Sequence, residues 1–363
     1  MKMRSFLLTM FSVLALSAGF TSCDDDDEEW DPTGGGNVSF AETRAFVLNE
    51  GSWNANNASL VYFDWKQDSV LGVDIYLKQN GRQLGDVGQD VIAVGDNMYV
   101  CLNGSNYVAK LNGYGIEQGR VSFTSYANLG AVRYAVEKDG YLYVSSYGGY
   151  VSKIDAKTMT YVDSVKVGNN PEQVVVSDGK VYCINGGWGY DNRLSIIDLK
   201  TFKAENVETV YNGERVLTYN GRVFIQGYGA AYPDYDYQIG EYDVKTKSYT
   251  RLATATNAVV GNDKIYLANS ETDWTTYATS VTFSYYDLKS NKLVASSFLT
   301  DAPEELASSS VYGMSVNPYT GDIYVLTSSY TSNGWIYHFD KNGRFVKKLS
   351  SFGISPRKIV FLK

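Results

Sequence analysis

The stretch AVRYAVEKDGYLYVSSYGGYVSKIDAKTMTYVDSVKV, residues 131–167, holds four β-type segments, AVRYAVE, YLYVSS, YVSKID and YVDSVKV, joined by KDG, YGG and DAKTMT. Short runs rich in Val, Ile and Tyr, broken by Gly and Asp, read as strands and tight turns. The pattern recurs. A turn pair followed by an apolar-aromatic-apolar triplet appears as GDNMYV, DGYLYV, DGKVYC, NGRVFI, NDKIYL and TGDIYV, with its aromatic at Tyr99, Tyr143, Tyr182, Phe224, Tyr266 and Tyr324, at intervals of 44, 39, 42, 42 and 58. A second motif, LVYFD, VAKLN, VSKID, LSIID, IGEYD, FSYYD and IYHFD, ends at Asp64, Asn112, Asp155, Asp198, Asp243, Asp287 and Asp340, giving seven copies 43 to 53 residues apart. Four strands per unit at that period, with no helical periodicity, predict an all-β, seven-bladed β-propeller. The terminal Asp or Asn of each copy suits the start of a turn, where its side chain bonds amides two residues on. A ring of metal ligands is the alternative use of those positions, and D-x-K-T is ordinary hairpin chemistry.

The tail GISPRKIVFLK resembles the innermost segment of a unit, as in GNNPEQVVVS, whereas the first unit, starting near Arg44, lacks one. The C-terminal strand is therefore expected to pair into the N-terminal blade and close the ring.

Upstream, Met1–Arg4 carries two positive charges and residues 5–20 are apolar to weakly polar, which reads as an export signal. The segment FTSC resembles a bacterial lipoprotein cleavage site, making Cys23 the lipidated first mature residue; an ordinary secreted protein cleaved near a cysteine is the alternative. The DDDDEE run that follows resembles the surface-export signal of Bacteroidetes lipoproteins. The expected organisation is a signal peptide at 1–22, an acidic tether at 23–40 containing DPTGGGN, and the propeller at 41–363, with the protein lipid-anchored on the outer membrane and facing outward.

The 363 residues are 44% hydrophobic and carry a net charge of −8. Six of those negative charges lie in residues 24–29 and two positives in the signal, so the body carries about −4. There is no basic stripe, which argues against nucleic acid. The 31 Tyr and 34 Gly fit many short strands and turns with amphipathic rings at surfaces.

In a blade the loop between the second and third strands emerges on one face, beside the connections between blades. Those loops are GSWNANNA, GSN, YGG, GGWGYDN, GYGAAYPDYDY, SETDWTTYATS and SYTSNG. They place Trp53, Tyr147, Trp188, Tyr190, Tyr228, Tyr232, Tyr235, Tyr237, Trp274, Tyr277 and Tyr330 on one face, while turns on the other, such as WKQD, DAKTMT and DLKTFK, are short and charged. A ring-loaded face is expected to bind something, or else its rings pack on one another to stiffen long loops. Asn54, Asn56, Asn57, Asp191, Asn192 and Asp236, with Arg82 on an inter-blade loop and Arg193 at a loop edge, add polar partners.

NEGSWNANNASLVYFD and QNGRQLGDVGQD, with the repeat and the lipoprotein start, resemble the Bacteroidetes surface lipoprotein propellers that include the BtuG-type corrinoid-binding proteins, over essentially the whole mature chain. The resemblance implies capture of a corrinoid such as vitamin B12 at the cell surface and transfer to a TonB-dependent outer-membrane transporter. The corrinoid would be a transported ligand, with no resident cofactor. A glycan- or protein-binding propeller assisting polysaccharide uptake is the alternative, since the same residue types serve it.

Catalysis finds little support, and no enzyme is expected. The single histidine, His338, occupies a slot that holds Tyr62, Lys110, Lys153, Ile196, Glu241 and Tyr285 in other units, and reads as a strand-face residue rather than a catalytic or cobalt-ligating one. No G-x-S-x-G occurs. Cys101 and Cys183 fall in non-adjacent blades and read as buried thiols, not as a metal or disulfide pair. Asp234, Asp236, Glu271 and Asp273 share the aromatic face and keep a lyase or hydrolase open. No metal-binding or catalytic residue is assigned.

Overall fold

A computed structural model describes residues 40–363 except Trp274 and Tyr277. Cys23, the expected signal at 1–22 and the tether up to residue 39 lie outside the described residues, as do those two aromatics. The described residues form seven four-stranded antiparallel sheets. Their innermost strands touch in a closed cycle, so the architecture is the expected seven-bladed propeller. The 131–167 unit yields strands Val132–Lys138, Tyr141–Ser146, Tyr150–Asp155 and Thr160–Lys166 in one sheet.

Closure is also as expected. The C-terminal strand Pro356–Leu362 is the innermost strand of the first blade and pairs antiparallel with Arg44–Asn49, with Ala45 opposite Phe361 and Val47 opposite Ile359. The blade thus joins both ends of the propeller chain and leaves no open edge at the seam.

Each blade is sandwiched between two neighbours, so its inner strands bury both faces; Arg44–Asn49 and Ser59–Asp64 are buried at every position. This explains near-continuous apolar runs such as MYVCL where a one-sided sheet would alternate. Phe46, Leu48, Leu60 and Tyr62 pack on Met98, Val100 and Leu102 between the first and second blades, and Val47, Val61 and Phe63 pack on Tyr324, Leu326 and Ile336 across the seam. Cys101 and Cys183 are free and buried in this layer, where burial pushes both thiols well up.

All seven motif-ending residues start turns by accepting the amide two residues on, for example Lys66 N to Asp64 at 2.9 Å, Lys200 N to Asp198 at 3.0 Å and Tyr114 N to Asn112 at 3.0 Å. The turns lie on the face opposite the long loops.

Among the described residues, an α-helix, Ile75–Asn80, between the first and second blades and three short 3₁₀ segments, Ala127–Leu129, Gly187–Gly189 and Glu304–Ser308, depart from the all-strand expectation. Asp74 caps the α-helix by accepting Leu77 N at 3.2 Å, and Gly81, at φ 64°, ends it. Ile75 and Tyr76 are its buried residues, which is too short an apolar face to produce a helical period.

Candidate functional site

The loop GSWNANNA is built by its asparagines. Gly51, Asn54 and Asn56 adopt φ of 79°, 60° and 51°, and the Asn57 side chain accepts Ser52 N at 2.7 Å. Asp86 on the next inter-blade loop accepts Asn54 N at 3.0 Å, and Asn56 Nδ2 donates to Gln83 at 2.6 Å. The loop is thus pinned at its polar residues and carries Trp53 outward, 68% exposed. Trp188 has the same character at the equivalent place in the fourth blade, with φ of 53° in a single 3₁₀ turn and 71% exposure. Tyr190, Tyr232 and Tyr330 are also exposed there.

Other residues of the expected set are held by neighbours. Asp191 is buried; it pairs bidentately with Arg193 at 2.5 and 2.8 Å and accepts the amides of Asn169 and Arg193. Burial raises its carboxyl, but the Arg193 and amide bonds outweigh that and leave it lowered. The pair locks the loop root. Tyr147 donates to Glu172 at 3.0 Å, lies under the Arg133 guanidinium and meets the edge of Trp188. Tyr228, Tyr232, Tyr235 and Tyr237 form a chain of ring contacts at 4.9 to 6.0 Å within the fifth blade's loop, so packing among rings shapes that loop. Arg82 stands apart from the aromatic group, bound to Tyr76 of the helix and to Glu117 on the outer strand of the second blade.

At the centre of this face lies a constellation that the loop comparison missed. Where they pair with the second strand, the innermost strands of the second, third, fourth, fifth and seventh blades shift register at Gly88/Asp90, Val132/Ala135, Pro171/Val174, Gly213/Arg215 and Val311/Gly313. Such irregularities turn consecutive side chains toward one side. They surround the channel mouth with Gln89 and Asp90, Arg133 and Tyr134, Glu172 and Gln173, and Glu214 and Arg215, joined by Arg357 and Lys358 from the closing strand. The mouth opens as a cleft of 340 Å³ whose walls include Tyr134, Arg215, Tyr228, Tyr237, Tyr312 and Arg357. A narrower space of 190 Å³ continues from it, with Tyr134, Arg215 and Arg357 lining both.

Three cations of the mouth have carboxylate partners: Arg357 with Glu50 at 2.5 Å, Arg133 with Glu172 at 2.5 Å, and Lys358 with Asp90 at 2.8 Å. Arg357 also donates to Tyr134 at 2.7 Å. Burial, and then the charge of Glu172, push the Glu214 carboxyl up to about 8. Glu214, in turn the first cause, and burial raise the Tyr228 hydroxyl well above its usual value. The signal for these residues was present in SPRKIV, VGQDVI, AVRYAV, NPEQVV and NGERVL, which put charges into what should be the most interior strand.

No curated protein matches this chain. Among solved structures it is similar to a quinonprotein alcohol dehydrogenase-like protein from Bacteroides thetaiotaomicron, at 14% identity over 90% of this chain and 79% of that one, with a TM-score of 0.64. It is also similar to the computationally designed protein Ika8, at 9% identity over 88% and 90% of the two chains, TM-score 0.51. At such identities the likeness is one of fold. The sequence of residues 44–354 matches the family described as a domain of unknown function, DUF5074, and the chain belongs to that family.

Proposed function

We propose that this propeller captures a corrinoid on its aromatic face, as a lipid-anchored protein on the outer-membrane surface, and passes it to a TonB-dependent transporter. The observation that carries the reading is the arrangement of exposed indoles and phenols around a cleft walled by amides, hydroxyls and guanidinium groups. A corrinoid is a broad ring fringed with amides, and it asks for apolar cover together with many hydrogen-bond partners. The family resemblance of the N-terminal motifs and the lipoprotein-like FTSC segment support the ligand class and the location. Binding and handover require no catalytic group.

Calorimetry of the purified protein with cyanocobalamin tests this reading. Surface capture calls for nanomolar affinity, about −12 kcal/mol. Absence of heat and of co-elution at micromolar concentration would remove the corrinoid, and a positive glycan array with the same preparation would replace it with a carbohydrate.

A further inference from the structure

The channel mouth holds one cation more than its partners account for. Arg357, Arg133 and Lys358 each face a carboxylate, whereas the Arg215 guanidinium donates no hydrogen bond and forms no ion pair among the described residues. It is half-buried and lines both the cleft and the channel below. Its sequence neighbour Glu214 does not cancel it at neutral pH, because a carboxyl titrating near 8 is mostly protonated there. A guanidinium withdrawn from water without a counter-charge is costly, and its planar donor fork suits a phosphate or carboxylate.

A second observation points into the same space. Gln89 Nε2, Gln226 Oε1 and Asn257 Oδ1 are buried polar atoms with no hydrogen-bond partner, on side chains of residues that line the cleft or its continuation and are at most 3% exposed. Buried polar atoms of this kind occur elsewhere in the molecule as well, but these three face a cavity large enough to admit a polar group that would satisfy them.

We propose that the mouth is a subsite for an anionic oxygen group of the ligand, with Arg215 as its principal contact, Arg357 and Tyr134 beside it, and the buried amides of Gln89, Gln226 and Asn257 holding the neighbouring polar atoms. The proposal rests on the corrinoid reading for its source: the group would be the phosphodiester of the nucleotide tail. The exposed rings cover the broad part of the ligand, while the tail enters the channel.

The test compares cyanocobalamin with dicyanocobinamide, which lacks the nucleotide and its phosphodiester. Calorimetry is run on the wild type, Arg215→Met and Arg215→Lys, with thermal melts to establish that each is folded. Arg215→Met is expected to lower affinity for cyanocobalamin about tenfold more than affinity for dicyanocobinamide, with Arg215→Lys in between. Equal losses for the two corrinoids, or none, in folded variants would overturn the subsite. If the wild type binds neither corrinoid, the ligand reading falls, and inorganic phosphate then tests the subsite alone. Millimolar phosphate raising the melting temperature of the wild type but not of Arg215→Met upholds it, and equal responses reject it.

Discussion

Trp53 and Trp188 each sit at the tip of a pinned loop, with most of the ring in water. An indole so exposed contributes little to folding, but it becomes an anchor once a ligand covers it. Changing either to Ala is expected to leave the melting temperature nearly unchanged and to weaken corrinoid binding by roughly 2 kcal/mol, about thirtyfold. Normal affinity in both variants would take the indoles out of the site. The pattern of Trp and Tyr made this face readable, because rings in loops are visible in a sequence. What individual polar residues do there was not readable. Asp191 and Arg193 look like ligand contacts by type, yet each satisfies the other; Arg215 sits in a strand and pairs there with Gln226, yet its guanidinium has no hydrogen-bond or ion-pair partner among the described residues.

Strands and turns were legible because their chemistry is local: an Asp or Asn folds its own turn, and Gly with Asp or Asn punctuates the runs. The register shifts were not, since an irregular pairing depends on the partner strand and changes which face a side chain takes without changing composition. Hence the charged mouth was missed. The loop of residues 50–58 shows how much geometry a single residue can fix. Gly51 lies at φ 79°, and a Cβ there would come within 2.5 Å of the Asn57 side chain and 2.8 Å of Ala58 N. Gly51→Ala is expected to cost more than about 1 kcal/mol, seen as a lower melting temperature, because a left-handed backbone strains an L side chain and the clash adds to it. If Trp53 is an anchor, the same change also weakens corrinoid binding by displacing the loop, whereas an unchanged melt would mean that the loop relaxes freely.

At the scale of the ring, the seam between the seventh and first blades is where the chain must hold itself shut, and two devices meet there. One is the C-terminal strand. The other is His338, on the third strand of the seventh blade. Its Nδ1 lies 2.7 Å from Asp68 of the first blade and its Nε2 3.3 Å from Asp322, while its ring stacks on Tyr324. The histidine is a buried strand-face residue, and its partners make it a clasp across the seam. Burial alone would lower its pKa, but bonds to Asp322 and Asp68 outweigh that and raise it to about 9 from 6.5. At about 1.4 kcal/mol per pKa unit, the protonated clasp contributes on the order of 3 kcal/mol. A raised folded-state pKa means that this contribution is complete below pH 6.5 and is lost as pH rises through about 9. The melting temperature of the wild type should therefore fall across that window. His338→Gln should be much less stable than the wild type at pH 6, and the gap between the two should narrow as pH approaches 10. A gap that stays constant with pH would show that His338 acts through packing on Tyr324 and not through its charge.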